Sequence, residues 1–306
     1  MSTFDALIAQ TFDAVFIQLM ILIGINIILA LGLNLITGVT GQLSMGHAGF
    51  VSIGAYTSAI LVMHYHLPFA VSILGAGAMA FVVGIVIGTP TLRLEGDYLA
   101  MVTIGFGEII RVVFLNLKTT GGGLGLSGIP KFTGFTVVWV IAVLMILFNW
   151  LLLRSRTGRA MYAIREDEIA AAASGVNTTL YKVMAFAMGA FMAGVGGALY
   201  AHYMYYIHPE DFRFIKSVEI LNMVVLGGMG SIPGTILGAT LLTVLPEQLR
   251  FVKEYRLLFN GALLILLMTY RPNGILGDIR WYDVKRWWRE RQGKDKDPSA
   301  GEGLQT

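Results

Sequence analysis

Cysteine is absent from the chain, and that one absence excludes disulfide staples, thiol nucleophiles and Cys-ligated zinc. Charge is scarce as well: only 13% of the 306 residues are Asp, Glu, Lys or Arg, against roughly 25% in soluble domains. No Lys or Arg precedes Arg93, so the amino end lacks the positive n-region of a secretory signal peptide. Its apolar stretch is expected to be an uncleaved span. No G-x-x-x-x-G-K-[ST] phosphate loop occurs anywhere, so the chain is not expected to bind ATP itself or to act as an enzyme. The histidines, His47, His64, His66, His202 and His208, show no metal-ligand spacing. No metal and no cofactor is expected. Nothing implies nucleic acid either, because the net charge of +3 gathers in loops and in the C-terminal tail rather than on one folded face.

What the chain does have is apolar length. It is 56% hydrophobic, with a mean hydropathy of +0.70, and its apolar runs reach the roughly 20 residues needed to cross a bilayer core of about 30 Å. They are too long to be the short alternating strands of a membrane barrel. The fold class expected is all-α, a polytopic helical membrane protein with about 8–10 transmembrane helices by run length, some of them broken or re-entrant. Residues 1–271 form the transmembrane domain and residues 272–306 a basic tail, partly disordered beyond Gln292. The tail's Trp281, Trp287 and Trp288 interleave with basic residues, which suits an interfacial helix resting on membrane lipid.

Orientation follows from the basic residues. Arg154 to Lys182, RSRTGRAMYAIREDEIAAAASGVNTTLYK, lies between two greasy runs and holds Arg154, Arg156, Arg159, Arg165 and Lys182. Basic short loops beside spans face the cytoplasm. The basic tail is placed inside by the same rule, and the amino end, with Asp5 and Asp13 but no basic residue, outside. Within the loop, Ala160 to Ala173 lacks Gly and Pro and is read as one short helix. Gly175 supplies its left-handed stop.

Four other stretches stand out. GVTGQLSMGHAGFVSIGAY, Gly38 to Tyr56, is read as a close-packing or broken helix. Small residues let backbones approach, whereas an interruption is tolerated only where protein or a cavity surrounds it. In the second case Gln42, Ser44 and His47 are candidates to line a translocation path. Glu108 and Arg111, three residues apart, share a helix face and can pair. Two roles stand open: a buried ion pair locking the helix, or a Glu108 that meets solute at the outer mouth. Thr119 to Pro130 holds five glycines and reads as a flexible outer loop. Finally, Gly227 to Gly234 splits the run from Val218 to Leu245, as a tight hairpin or a discontinuous helix. The hairpin fits a basic tail on the inside and gives nine spans, give or take one.

LRLEGDYLAMVTIGFGEIIR, Leu92 to Arg111, together with GQLSMGHAGFVSIGAY and IREDEIAAAASGVN, resembles the LivM-type permeases of branched-chain amino acid ABC importers. The resemblance implies a multi-pass subunit of the bacterial inner membrane. Its implied partners are a second homologous permease (a heterodimer), two ABC ATPase subunits and a periplasmic or lipoprotein solute-binding protein. It also implies that Arg165, Glu166, Glu168, Ala170, Ala171 and Gly175 form the loop that couples to the ATPase. Where the family carries Gly-Gly-Pro-Asn-Gly after Thr120, this chain reads GGGLGLSG. Urea and short-amide importers use permeases of the same family, so the solute stays open between these classes. Two rivals come from the residues alone. An ion-coupled secondary transporter would use broken helices at its binding site, and a membrane protease would pair Ser127 with His202.

Overall fold

A computed structural model describes residues 14–91, 94, 96–248, 261 and 274–276. The apolar run Leu257 to Met268, the segment Pro246 to Arg256 beyond its first residues, and the basic tail lie outside the described residues. The full span count and the tail helix therefore rest on sequence.

The expected all-α membrane architecture is observed. Among the described residues the helices are α1 (Ala14–Leu33), α2 (His47–Met63), α3 (Phe69–Thr91), α4 (Asp97–Asn116), α5 (Phe135–Arg154), α6 (Arg156–Glu166), α7 (Glu168–Ala173), α8 (Thr178–Met204), α9 (Phe214–Gly227) and α10 (Ile232–Gln248). Among the described residues five spans are long and apolar enough to cross a membrane: Val15–Val39, Phe69–Thr91, Asp97–Asn116, Phe135–Arg154 and Thr178–Met204. α2 and α10 are apolar but shorter. α9, at 14 residues, is only about 21 Å long at 1.5 Å per residue, so it cannot cross a bilayer core alone.

α8 is the central post. A small-residue stripe at Gly189, Ala193 and Gly197 is buried, and small residues continue around the helix at Ala190, Gly194, Gly196 and Ala198. α1, α2 and α3 can therefore all approach its backbone. At the closest of these crossings, a Cβ on Gly54 of α2 would land on the Gly194 backbone. Lipid tails are as apolar as leucine, so burial supplies no net drive between these helices. Close packing has to hold them instead, and side chains without bulk are the means. α5 is the opposite case: only 17% of its apolar window is buried, so most of its surface faces outward.

α9 and α10 form the expected hairpin. A Cβ on Gly234 would meet the Gly227 carbonyl, and one on Gly238 would meet that of Met223. Contacts that step up one helix and down the other mean antiparallel packing about the turn at Gly228–Ser231.

On the face opposite the basic loop, the glycine-rich stretch is more ordered than its composition suggests. Leu126–Ser127 pairs antiparallel with Tyr206–Ile207. His208 Nε2 donates to the Gly123 carbonyl at 3.1 Å and Tyr206 Oη to that of Leu124 at 3.0 Å. The glycines here supply turns with positive φ, at Gly121, Gly122, Gly125 and Gly128, rather than slack.

Candidate functional site

On the basic face, three features converge. α1 passes from Leu33 into a wide π turn, Asn34–Val39, and residues 41–46 then have no regular structure before α2 begins at His47. The stretch from Gly38 onward is thus a broken helix as well as a close-packed one. Its orphaned amides find side chains on neighbouring helices. Met45 N donates to Thr103 Oγ1 of α4 at 3.0 Å, and Ala48 N to Ser217 Oγ of α9 at 2.9 Å. Such partners are what irregular backbone inside a membrane protein requires. Neither Thr103 nor Ser217 announces itself in the sequence, because a lone hydroxyl on an apolar helix is ordinary.

The second feature is the α9–α10 turn. Gly230 N donates to Asn34 Oδ1 at 2.7 Å, so the π turn and the hairpin turn are directly joined. The third is the basic loop, where the single helix expected over Ala160 to Ala173 is two. Asp167 is extended and its carboxylate accepts from Ala170 N at 3.0 Å. An Asp that bonds the backbone two or three residues on starts a helix rather than continuing one, and this break sets α7 as a separate short element. Gly175 does end that helix, at φ 83°. Gly175 N reaches the Ala172 carbonyl and Val176 N that of Ala171, the double bond of a Schellman stop.

α6 ties these features together. Tyr162 Oη donates to the Gly230 carbonyl at 2.8 Å. Arg165 Nη1 donates to the Gly38 carbonyl and, at 3.3 Å, to that of Met229. One guanidinium therefore touches both helix interruptions. Of the other loop candidates, Glu168 pairs with Lys182 of α8, Ala171 is buried, and Glu166, Ala170 and Gly175 are exposed. A residue the sequence reading missed lies among them: Ile169 is 83% exposed on a helix outside the apolar region.

Gln42, Ser44 and His47 come together in the broken segment and are buried at 5%, 0% and 0% exposure. His47 Nε2 donates to the Leu29 carbonyl at 3.1 Å, which leaves Nδ1 as an acceptor. That atom, both amide atoms of Gln42 and Ser44 Oγ have no hydrogen-bond partner among the described residues. Buried polar atoms without partners cost about 1–3 kcal/mol each, so their clustering within six residues makes this segment the candidate site.

Glu108 does not join this group. Arg111 Nε donates to Glu108 Oε2 at 2.7 Å, as the spacing suggests, and Arg111 Nη1 also reaches Glu210 in the far-side loop. The expected pair forms, with side-chain exposures of 19% for Arg111 and 38% for Glu108. This second acceptor, Glu210, comes from a distant part of the chain. Ser127 and His202 do not form a nucleophile and base: Ser127 lies in the two-residue ribbon. The His202 ring is taken up by Pro130 O at 2.8 Å and Ser58 Oγ at 3.0 Å.

Residues 15–268 match the family model described as branched-chain amino acid transport system / permease component. The chain belongs to this family. Among its relatives, the high-affinity branched-chain amino acid transport system permease protein LivM of Escherichia coli (strain K12) is 40% identical over 262 residues, covering 74% of this chain and 62% of the relative. The LivM protein of Salmonella typhimurium is 39% identical with the same coverage. The LivH permease of Salmonella typhimurium is 36% identical over 144 residues, 46% of each chain. This chain thus spans somewhat less than two thirds of the LivM relatives' length. No solved structure matches it. Membership of a permease family and five spanning-length helices agree on a multi-pass membrane protein.

Proposed function

We propose that the chain is the membrane permease subunit of an ATP-driven importer for branched-chain amino acids, with the basic face toward the cytoplasm and no catalysis of its own. Relatives that carry both LivM and LivH names support pairing with a second, homologous permease. The lack of a phosphate loop in the sequence supports ATP hydrolysis by separate ATPase subunits, and a solute-binding protein would deliver from the other side.

The observation that carries the reading is the bond set of Arg165. A force applied to the basic loop reaches Gly38 and Met229 through one side chain, and Asn34 links the two turns to each other. Subunits docking on α7, where Ile169 stands exposed beside Ala170, would thereby move the broken segment that holds Gln42, Ser44 and His47. Discrete packed contacts of this kind can transmit a two-state change.

Arg165→Met keeps the aliphatic stem and removes both bonds. Leucine uptake should fall about 5-fold or more, the scale of a typical coupling energy, while the permease still inserts and assembles. Full uptake by that variant would sink the mechanism. Uptake of urea or short amides in place of leucine would instead move the solute assignment to the family's other class, and ATP-independent, sodium-dependent or proton-dependent uptake would favour a secondary transporter.

A further inference from the structure

Beneath the broken segment lies a cavity of about 190 Å³, walled by Gln42, Leu94, Leu99, Arg165, Glu168 and Lys182 among others. It lies between the interruption of the first span, the start of α4 and the coupling loop, and it opens on the basic face. Drug-sized ligands occupy roughly 300–1,000 Å³, so this space suits a small metabolite. Among the described residues its wall has three kinds of chemistry. Leu43, Leu94, Leu99 and Ile164 are apolar. Lys182 and Glu168 form an ion pair in which the lysine side chain is only 9% exposed and the glutamate 36%. Gln42 lines the cavity at 5% exposure, with both atoms of its amide buried and without a partner among the described residues.

We propose that this cavity is an inner-face binding site for the zwitterion of a small apolar α-amino acid, entered from the basic side. An adjacent pair of opposite charges is complementary to a molecule that itself carries both. The ligand carboxylate lies against Lys182 and Arg165, its ammonium against Glu168, and its side chain against Leu99 and Ile164. A simple anion of the same shape meets Glu168, and a simple amine meets Lys182, so each is rejected by one member of the pair. The site rests on the importer reading above and extends it. Arg165, Glu168 and Lys182 belong to the coupling loop and to α8, whereas Gln42 belongs to the broken segment. A bound amino acid therefore bridges the two and reports solute on the inner side to the loop that the ATPases would drive.

The missing cysteines make the test site-specific. Leu94 is 38% exposed and lines the cavity, so Leu94→Cys puts the chain's sole thiol at its wall without emptying a core position. The full-length variant, in lipid nanodiscs, is alkylated with a charged maleimide with and without L-leucine. At about ten times its Kd, leucine should slow labelling about tenfold by mass action, while isoamylamine and 4-methylpentanoate, each lacking one of the two charges, should give little protection. In the same background Glu168→Gln should abolish protection by leucine, with the melting temperature recorded to verify folding. Absence of protection by leucine, protection by 4-methylpentanoate equal to that by leucine, or undiminished protection in a folded Glu168→Gln variant would each overturn the proposal. Leucine uptake by cells that depend on the unmutated chain is measured in parallel. Uptake without protection disproves this site alone, whereas no ATP-dependent leucine uptake disproves the importer reading beneath it.

Discussion

At Glu108 and Arg111 exposure decides the energetics. A buried pair broken from one side leaves an uncompensated charge and costs about 3–5 kcal/mol. An exposed one is screened, and typical couplings are about 0.2–1 kcal/mol. With Glu108 at 38% exposure and a second acceptor, Glu210, on the same guanidinium, Glu108→Gln leaves Arg111 with a carboxylate partner and is expected to cost less than the about 3–5 kcal/mol of a pair broken in full burial. A double-mutant cycle of Glu108→Gln with Arg111→Met, read by unfolding of the purified protein, checks this. A loss above about 3 kcal/mol for the single variant would mean that the pair is buried in the assembled transporter. The i,i+3 half of this network was legible because helix geometry puts those positions on one face. Glu210 was not, since it stands 99 residues from Arg111 and no local spacing links them. The same holds for Asn34, whose acceptance of Gly230 N spans 196 residues.

Among the elements, the short α7 is defined at both ends by backbone chemistry. Asp167 opens it and Gly175 closes it. A Cβ at Gly175 would meet nothing within 4 Å, yet φ is 83°. Any penalty there is therefore conformational rather than steric crowding. Valine, β-branched, strongly resists that region, whereas asparagine enters it readily. Gly175→Val should misalign α7 at a strain of about 1–3 kcal/mol and reduce uptake with insertion intact, and Gly175→Asn should transport nearly as the parent does. Equal uptake by the two variants would show that the left-handed stop has no part in coupling. Glycine as a helix stop could be read directly from sequence. Asp167 as an interior start could not, because its neighbours are strong helix formers and only the observed capping bond tells a cap from a surface carboxylate. The broken first span was half legible for a related reason: Gly38 to Tyr56 reads as packing before interruption until the side chains that satisfy its amides, Thr103 and Ser217, are placed beside it.

For the whole molecule, the arrangement around α8 separates two faces with different chemistry. One carries the helix interruptions, α6, α7 and the cavity; the other carries the ribbon between Leu126–Ser127 and Tyr206–Ile207. Hydropathy and the clustering of basic residues made this separation readable, since the bilayer requires long apolar runs and positive loops mark one side. Which helices meet α8 was less readable, because small-residue packing depends on shape at each crossing and leaves almost no compositional trace. The assignment of sides is tested with single thiols in this cysteine-free chain. Ser174 is exposed just before the Gly175 stop, and Gly123 is exposed with open space where a Cβ would go and no positive φ to strain. Ser174→Cys should react with a membrane-impermeant maleimide only in inside-out vesicles, and Gly123→Cys only in intact spheroplasts. The two positions are separated by α5 alone among the long spans, so an odd number of crossings must lie between them. If both thiols label from the same side, α5 does not cross. If each labels from the side opposite to that expected, the basic loop faces outward, and ATPases could not drive transport through Arg165 from within.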